Sequence, residues 1–353
     1  MKGARQIGLV LGSAAGFLLL VAVINFTVDP YRIYCQSGCV HDEPKPKAYN
    51  QAYLNKRQLL TLQEADTALI GNSRVLWGLH AGSEVWEDSK VINLGIPAIS
   101  LTTFDKLIDR LLIQQPGLER VVLGIDYIDL YRELRHPDAE LVFSVDELQV
   151  EDIAATLFGL SALMDSGVTL ISNQANSETI NRWGDEPRLD YPDLIRAKGQ
   201  SAIFDEMIAE ARKVLSVEPD PKVVRTQVNR LFENLEKLRS AGVDVYIVFY
   251  PFHSSYYSLL QEMGRFEHYA GLKSEICTEV SALDWSPDHV IEVWDFGYAN
   301  RYTNEVVPDN RDEIMEWYWD PGHFRSSLGD VVIGNILRQR SDMGRRCGGA
   351  TQN

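Results

Sequence analysis

Metal-binding spacing is missing from this chain of 353 residues. Its seven histidines form no HxH or HExxH pair and no Asp-rich run accompanies them, which argues against a metal centre. Basic runs are missing too. With 34 Lys and Arg against 50 Asp and Glu the formal charge is −16, so the surface repels polyanions and nucleic acid is disfavoured as a partner. A polyanionic glycan would need a local basic patch at its site. Cysteine is scarce, at four residues. Cys35 and Cys39 are close enough to form a small disulfide loop in an oxidising compartment, and no Cys or His at metal spacing competes for them. Cys277 falls inside a helical pattern and reads as a buried thiol, whereas Cys347 falls in a polar, Gly-rich tail, 341–353, that reads as disordered. There is no internal repeat, and no low-complexity segment apart from that tail.

Charge is absent from Ile7 to Val28, a run of 22 residues that is long enough to cross a bilayer as a helix. Lys2 and Arg5 precede it, which argues for a cytoplasmic N-terminus and an exported remainder. The competing reading is a cleaved signal peptide. The run is long for one, and Val23-Ile24-Asn25-Phe26-Thr27 offers no small-x-small cleavage site. Residues 1–28 are therefore read as a retained transmembrane anchor, and 29–47, with its Pro-rich His41-Asp-Glu-Pro-Lys-Pro-Lys47, as a juxtamembrane linker.

From 48 to 340 the pattern is that of one α/β domain. Ala48 to Glu64 turns helical, and five short apolar runs follow that read as buried parallel strands: Thr67–Ile70, Val91–Leu94, Arg120–Ile125, Asp244–Phe249 and His289–Val293. The clearest helix is Pro221 to Ala241, with Val224, Val228, Leu231, Leu235 and Leu238 at three- and four-residue steps and Gly242 as its stop. Strands alternating with helices predict a three-layer α/β/α fold on a five-stranded parallel sheet, with active residues at the carboxyl ends of the strands. The segment from about 130 to 218 is too long for one crossover and reads as an insertion. Asp146–Ala162 and Ser201–Leu215 look helical in it, and Ser172–Tyr191 looks like a loop. It either shapes a substrate groove or buttresses the fold.

The stretch Ala65-Asp-Thr-Ala-Leu-Ile-Gly-Asn-Ser-Arg74 reads as a strand ending in a sharp turn that presents Ser73. Serine needs a positioned base to act as a nucleophile, and Asp320-Pro-Gly-His323 supplies histidine and carboxylate three residues apart. Taken alone, that tetrapeptide reads as a turn leading into the last helix, with His323 capping or packing. The motif order changes this: Leu69-Ile-Gly-Asn-Ser-Arg74, Val91-Ile-Asn-Leu-Gly-Ile-Pro97 and Asp320-Pro-Gly-His323 resemble the first, second and last blocks of the SGNH hydrolase superfamily. The resemblance covers roughly residues 60–340 outside the insertion. It implies a flavodoxin-like sheet, Ser73 as nucleophile, His323 as base, Asp320 as its orienting acid, Gly95 as an oxyanion-hole amide, and no cofactor.

There is one departure. The family's third block is Gly-x-Asn-Asp, whose Asn donates to the oxyanion, but the matching stretch here is Gly124-Ile-Asp-Tyr127. Ionised Asp126 only accepts hydrogen bonds. Ser73 N–H and Gly95 N–H are left as the hole, with Asn72, Asn93 and Tyr127 as candidates for a third member. Arg74, beside the nucleophile, either holds a carboxylate or phosphate on the substrate or pairs with Asp126. His253 and the aromatics of Tyr250–Tyr257 suit either sugar rings or core packing.

An N-terminal anchor on such a domain resembles the membrane-tethered, periplasmic branch of the superfamily, which includes proteins of alginate-type O-acetylation and of lipoteichoic acid D-alanylation. That implies single-pass attachment to the bacterial inner membrane, a surface glycan as substrate and a multi-spanning acyltransferase as partner. Esterase and O-acyltransferase share every residue named. A reading from another class is a catalytically silent domain that binds glycan or scaffolds an export complex, which Asp126 and the insertion favour.

Overall fold

Short apolar runs between amphipathic helices build an α/β fold on a mixed, mostly parallel sheet of six strands. The computed structural model describes residues 2–35, 38, 40, 45–132, 137–145, 147–172, 180–283, 289–338 and 343–347. Helix α1 (Lys2–Val28) comes first. Among the described residues it is the one unbroken helix long and apolar enough to cross a membrane. A single 3₁₀ turn and α2 (Ala52–Leu62) then lead into the sheet.

The strands β1 (Thr67–Ile70), β2 (Val91–Asn93), β3 (Arg120–Ile125), β4 (Asp244–Phe249) and β5 (Ile291–Asp295) lie in the order β2-β1-β3-β4-β5, all parallel. β1 and β2 are wholly buried, as expected of strands covered on both faces. A separate two-stranded ladder joins β6 (Tyr318–Asp320) to β7 (His323–Phe324). The expected fifth strand begins two residues later than the sequence suggested, because Val290 is drawn onto the Asp244 carboxylate (2.8 Å) just ahead of it.

Between the strands run α3 (Ser73–Gly78), α4 (Leu101–Gln114), α5 (Tyr127–Tyr131) and, in the insertion, α6 (Pro137–Ser144), α7 (Val150–Ile153), α8 (Leu160–Ile171), α9 (Tyr191–Lys198) and α10 (Gln200–Leu215). After the insertion come α11 (Pro221–Ser240), α12 (Ser254–Glu262), α13 (Phe266–Ala282) and α14 (Ser326–Leu337). α11 starts where Asp220 accepts the Lys222 amide (2.8 Å) ahead of Pro221, and stops at Gly242, whose φ of +71° suits glycine. It packs on α4, and α14 packs on α3. Right-handed crossovers put these two pairs on opposite faces, because the strand order reverses at β1. The reversal opens a crevice past the carboxyl ends of β1 and β3, where Ser73 and Asp126 stand.

Three expectations are corrected. The single helix expected over Asp146–Ala162 is instead α7, a π-helical turn (Ala154–Phe158) and α8, broken at Gly159. A Cβ there would lie 2.2 Å from the Ala155 carbonyl oxygen, so the close approach requires glycine. Asp146 itself lies outside the described residues. The tail is not structureless throughout, since β8 (Arg345–Cys347) pairs antiparallel with β5 as the sixth strand. Cys277 is no free thiol. Its sulfur is bonded to Cys347, with Cα atoms 5.6 Å apart, so α13 is stapled to the new edge strand. Cys35 is also disulfide-bonded; its expected partner, Cys39, lies outside the described residues.

The Cys277–Cys347 bond closes a loop across 70 residues, for which unfolded-chain entropy gives a stabilisation of about 4 kcal/mol. Cys277→Ser/Cys347→Ser should therefore unfold several degrees lower in a thermal melt. A non-reducing peptide map of the unaltered protein should yield a species joining the two cysteines; separate peptides would contradict the pairing.

Candidate active site

Gly71 and Asn72 end β1 so abruptly that Ser73 is already the first residue of α3. A Cβ on Gly71 would meet Val75 Cγ2 at 2.4 Å and the Tyr250 hydroxyl at 2.6 Å, so the turn depends on the missing side chain. The Asn72 side-chain oxygen accepts the Arg74 amide (3.0 Å) and caps the helix. Ser73 Oγ is thereby held half-exposed, 2.8 Å from His323 Nε2.

His323 comes from the other end of the chain. The β6–β7 ladder turns through Pro321-Gly322, which folds Asp320 back beneath the imidazole: Nδ1 lies 2.9 and 3.0 Å from the two carboxylate oxygens. An ionised carboxylate accepts only, so Nδ1 carries the proton and Nε2 is free to accept from the serine hydroxyl. Asp320 also accepts the amides of Gly322 (2.8 Å) and His323 (3.0 Å) and the Tyr191 hydroxyl (3.2 Å). Burial alone would raise its carboxyl; His323, the Gly322 amide and Arg74 outweigh burial and hold it below its ordinary value. The sequence-predicted Ser73, His323 and Asp320 thus form one continuous hydrogen-bonded relay.

Arg74 and Asp126 meet as a buried ion pair. Arg74 Nε donates to the Gly322 carbonyl (2.8 Å), and its guanidinium lies 4.8 Å from the centre of the Phe252 ring. Asp126 caps α5, its carboxylate accepting the Asp129 amide (3.0 Å), while Asp129 accepts the Asp126 amide in return (2.9 Å). Asn72 Nδ2 donates to both carboxylates, at 3.2 Å each. Burial, and then the Asp126 charge, raises the Asp129 carboxyl well above its ordinary range. Between the two expectations for Arg74, the structure places it in the internal pair.

All but one of the expected oxyanion donors are engaged elsewhere. Gly95 N–H donates to the Asn93 side-chain oxygen (2.8 Å), and Asn93 Nδ2 donates to the Val75 and Leu79 carbonyls and to Asp185. Glycine is required at 95 by close packing, since a Cβ would come within 2.6 Å of the Leu76 amide nitrogen. Tyr127 bonds His268 Nδ1 (2.8 Å), and His253 caps α12 and bonds the Glu305 carbonyl (2.8 Å). Among the described residues only the Ser73 amide, of this set, has no acceptor.

The insertion supplies what the motifs do not show. Its return segment crosses the site: Asp185 accepts the Ala81 and Gly82 amides, the Glu186 amide donates to the Leu76 carbonyl (3.1 Å), and buried Lys56 donates to the carbonyls of Asn93 and Gly184. Tyr191 opens α9 directly behind Asp320. Burial and the Asp320 charge push its phenol far up, so it stays a donor. Trp77, one helical turn after Ser73, lies 4.3 Å from the His323 ring, and Arg188 stacks on both Trp77 (4.2 Å) and Tyr191 (4.4 Å). The Ser73–Trp77 spacing is visible in sequence. The Tyr191–Asp320 contact, between residues 129 positions apart, is not.

Compared with protein-family models, curated proteins and solved structures, the chain matches none.

Removing one buried partner of an ion pair typically costs about 3–5 kcal/mol. Asp126→Asn should therefore lower the melting temperature markedly and not accelerate Ser73 labelling by a fluorophosphonate; faster labelling at unchanged stability would show Asp126 is not the guanidinium's support. Tyr191→Phe removes one donor to a charged group, worth about 1.5–3 kcal/mol. It should slow labelling of Ser73 roughly tenfold or more at saturating probe, with the half-saturating concentration unchanged.

Proposed function

We propose that the chain is a serine acyl enzyme of the SGNH hydrolase type, tethered by α1 to a bacterial inner membrane with its domain outside the cytoplasm, and acting on a surface glycan as an O-acyltransferase or esterase. The observation that carries this reading is the relay Ser73 Oγ–His323 Nε2 (2.8 Å) and His323 Nδ1–Asp320 (2.9 Å) at the carboxyl edge of a parallel sheet. His323 takes the Ser73 proton as Oγ attacks the ester carbonyl. The oxyanion forms against the Ser73 amide, and collapse breaks the ester C–O bond as His323 returns the proton to the departing alkoxide. The acyl-serine is then relieved by water or by a sugar hydroxyl, deprotonated by the same imidazole. Ionised Asp320 steadies the imidazolium in both halves, and Trp77 on the ring limits its swing.

Lys2 and Arg5 ahead of the apolar run support the outward orientation, and the bonded state of Cys35 and of the Cys277–Cys347 pair supports an oxidising compartment. A multi-spanning acyltransferase would supply the acyl group for transfer. The second reading, a silent glycan-binding or scaffold domain, is favoured by one observation: Gly95 N–H is spent on Asn93, and losing one oxyanion donor costs about 10²–10³ in rate.

The test is hydrolysis of nitrophenyl acetate by the full-length protein in detergent, with fluorophosphonate labelling at Ser73. Ser73→Ala and His323→Ala should each lose at least about 10³-fold of turnover. Undiminished hydrolysis by Ser73→Ala would sink the mechanism, and a folded wild type that neither turns over nor labels would favour the silent reading.

A further inference from the structure

Helix α1 contains one strongly polar side chain in its apolar run, Asn25, and it is fully buried. Its Nδ2 donates to the carbonyls of Leu157 (2.8 Å) and Gly159 (3.4 Å), and its Oδ1 accepts from Ser166 Oγ (2.9 Å). Those carbonyls belong to the break between α7 with its π turn and α8, two segments that meet at 50° and are together apolar enough for a membrane span. The insertion thus folds back onto the last turns of α1, covering Val21, Ala22, Asn25 and Val28. At 1.5 Å per residue, the contact reaches about 10 Å in from Val28, within the roughly 30 Å hydrocarbon core.

Away from α1 the pair is unpartnered and apolar. Phe158, Leu160, Met164, Leu170 and Ile171 are exposed, Met164 by 67% and Ile171 by 84%. Between Ile153 and Ile171 the one charged residue is Asp165, which turns back to accept from Tyr31 (2.8 Å) and Asn50 (3.2 Å). Thr156 bonds Tyr34, and Thr169 bonds the carbonyl one turn before it.

We infer that the pair 150–171 is a second membrane-embedded element, a bent wedge whose apolar stretch 153–171 sits beside α1 among the lipid acyl chains of the leaflet nearest the domain, with Glu151 and Asp152 at its polar end. Broken backbone is tolerated at that depth only where protein satisfies its polar groups, which is what Asn25 does. The occupant of the exposed face is lipid because the pair packs directly on the last turns of α1 and is itself apolar enough for a membrane span. The wedge adjoins the catalytic edge. A cleft of about 490 Å³ is lined by Asp152 and Leu141 on the wedge side and by Ile96 and Pro97 on the other, and the Ile96 amide bonds the Gly71 carbonyl (3.0 Å) beside the nucleophile. The inference rests on α1 spanning the bilayer.

The test uses the full-length protein in liposomes, spin-labelled at single cysteines introduced as Leu160→Cys, Met164→Cys and Ile171→Cys. Leu18→Cys in α1 and Glu206→Cys on α10 serve as references. No cysteine among the described residues is free to compete for the label. The three wedge labels should match Leu18→Cys in oxygen collision rate, and their collisions with a polar nickel chelate should fall at least about tenfold below those of Glu206→Cys, because hydrated polar solutes partition poorly into hydrocarbon. Nickel access equal to Glu206→Cys with Leu18→Cys still protected would overturn the wedge and leave the span intact. Nickel access at Leu18→Cys as well would overturn both. Wedge labels shielded from oxygen and nickel alike would put protein on this face and overturn the lipid assignment.

Discussion

A buried guanidinium holds the two ends of the site together. Arg74 follows Ser73 directly, and its side chain reaches Asp126 past the end of β3 and the Gly322 carbonyl in the turn that carries Asp320 and His323. Three segments distant in sequence therefore share one cation. A charge in this position is tolerated because Asp126 pairs with it and because Phe252 and Tyr250 lie 4.8 and 5.8 Å away as aromatic faces. Burial works against the charged form, but Asp126 together with Tyr256, Tyr250 and Asp129 more than compensates and keeps Arg74 protonated. Asp129, the second carboxylate of the group, is driven the other way by burial and by its neighbour. The serine–histidine distance is thus set by an interaction in which neither residue takes part.

The insertion completes what the sheet begins. β1, β3 and the β6–β7 ladder place Ser73 and His323, but the fourth hydrogen bond on Asp320 comes from Tyr191 and the packing on the imidazole side comes from Trp77, itself held by Glu186 (3.0 Å) and Arg188. Asp185 draws the same segment onto the Ala81–Gly82 turn and the Asn93 side chain. The bond from Asn93 to Gly95 belongs to this network. The Gly95 amide is free to turn toward a ligand only if Asn93 releases it, so under the proposed function the reactivity of Ser73 is coupled to the seating of residues 181–191.

Much of the site was legible because it is local. The strands at Thr67–Ile70, Arg120–Ile125 and Asp244–Phe249 fall on the residues their apolar runs indicate, and Asp320 and His323 share one turn. What escaped is non-local or depends on close approach. Tyr191 lies at the end of a segment whose Asn, Gly and Pro content signals a loop, and nothing in it points toward Asp320. Gly95 was singled out for its amide, whereas the packing against Leu76 is what demands a glycine. β8 is three residues long with two arginines, a composition that carries no strand signal; it forms because β5 offers an open edge and because Arg346 meets Glu292 at 2.7 Å. The break at Gly159 combines the close approach of the Ala155 carbonyl with a donor, Asn25, that comes from the far end of the sequence.

That break bears on how the domain meets a membrane. A single spanning helix is a swivel, and a domain hung from it samples many orientations. A second element bonded to the same helix removes that freedom. Lifting residues 150–171 off α1 would strip Leu157 and Gly159 of their donor and leave Asn25 unsatisfied in hydrocarbon, at about 1–3 kcal/mol for each orphaned group. On the inference that both are embedded, the wedge and α1 enter or leave the bilayer together, with Tyr31–Asp165 and Tyr34–Thr156 closing the joint at its outer end. The cleft between the wedge and Pro97 then has a fixed height above the lipid. Under the proposed function, the turn that carries Ser73 then meets substrates presented at the membrane surface before any that diffuse free in solution.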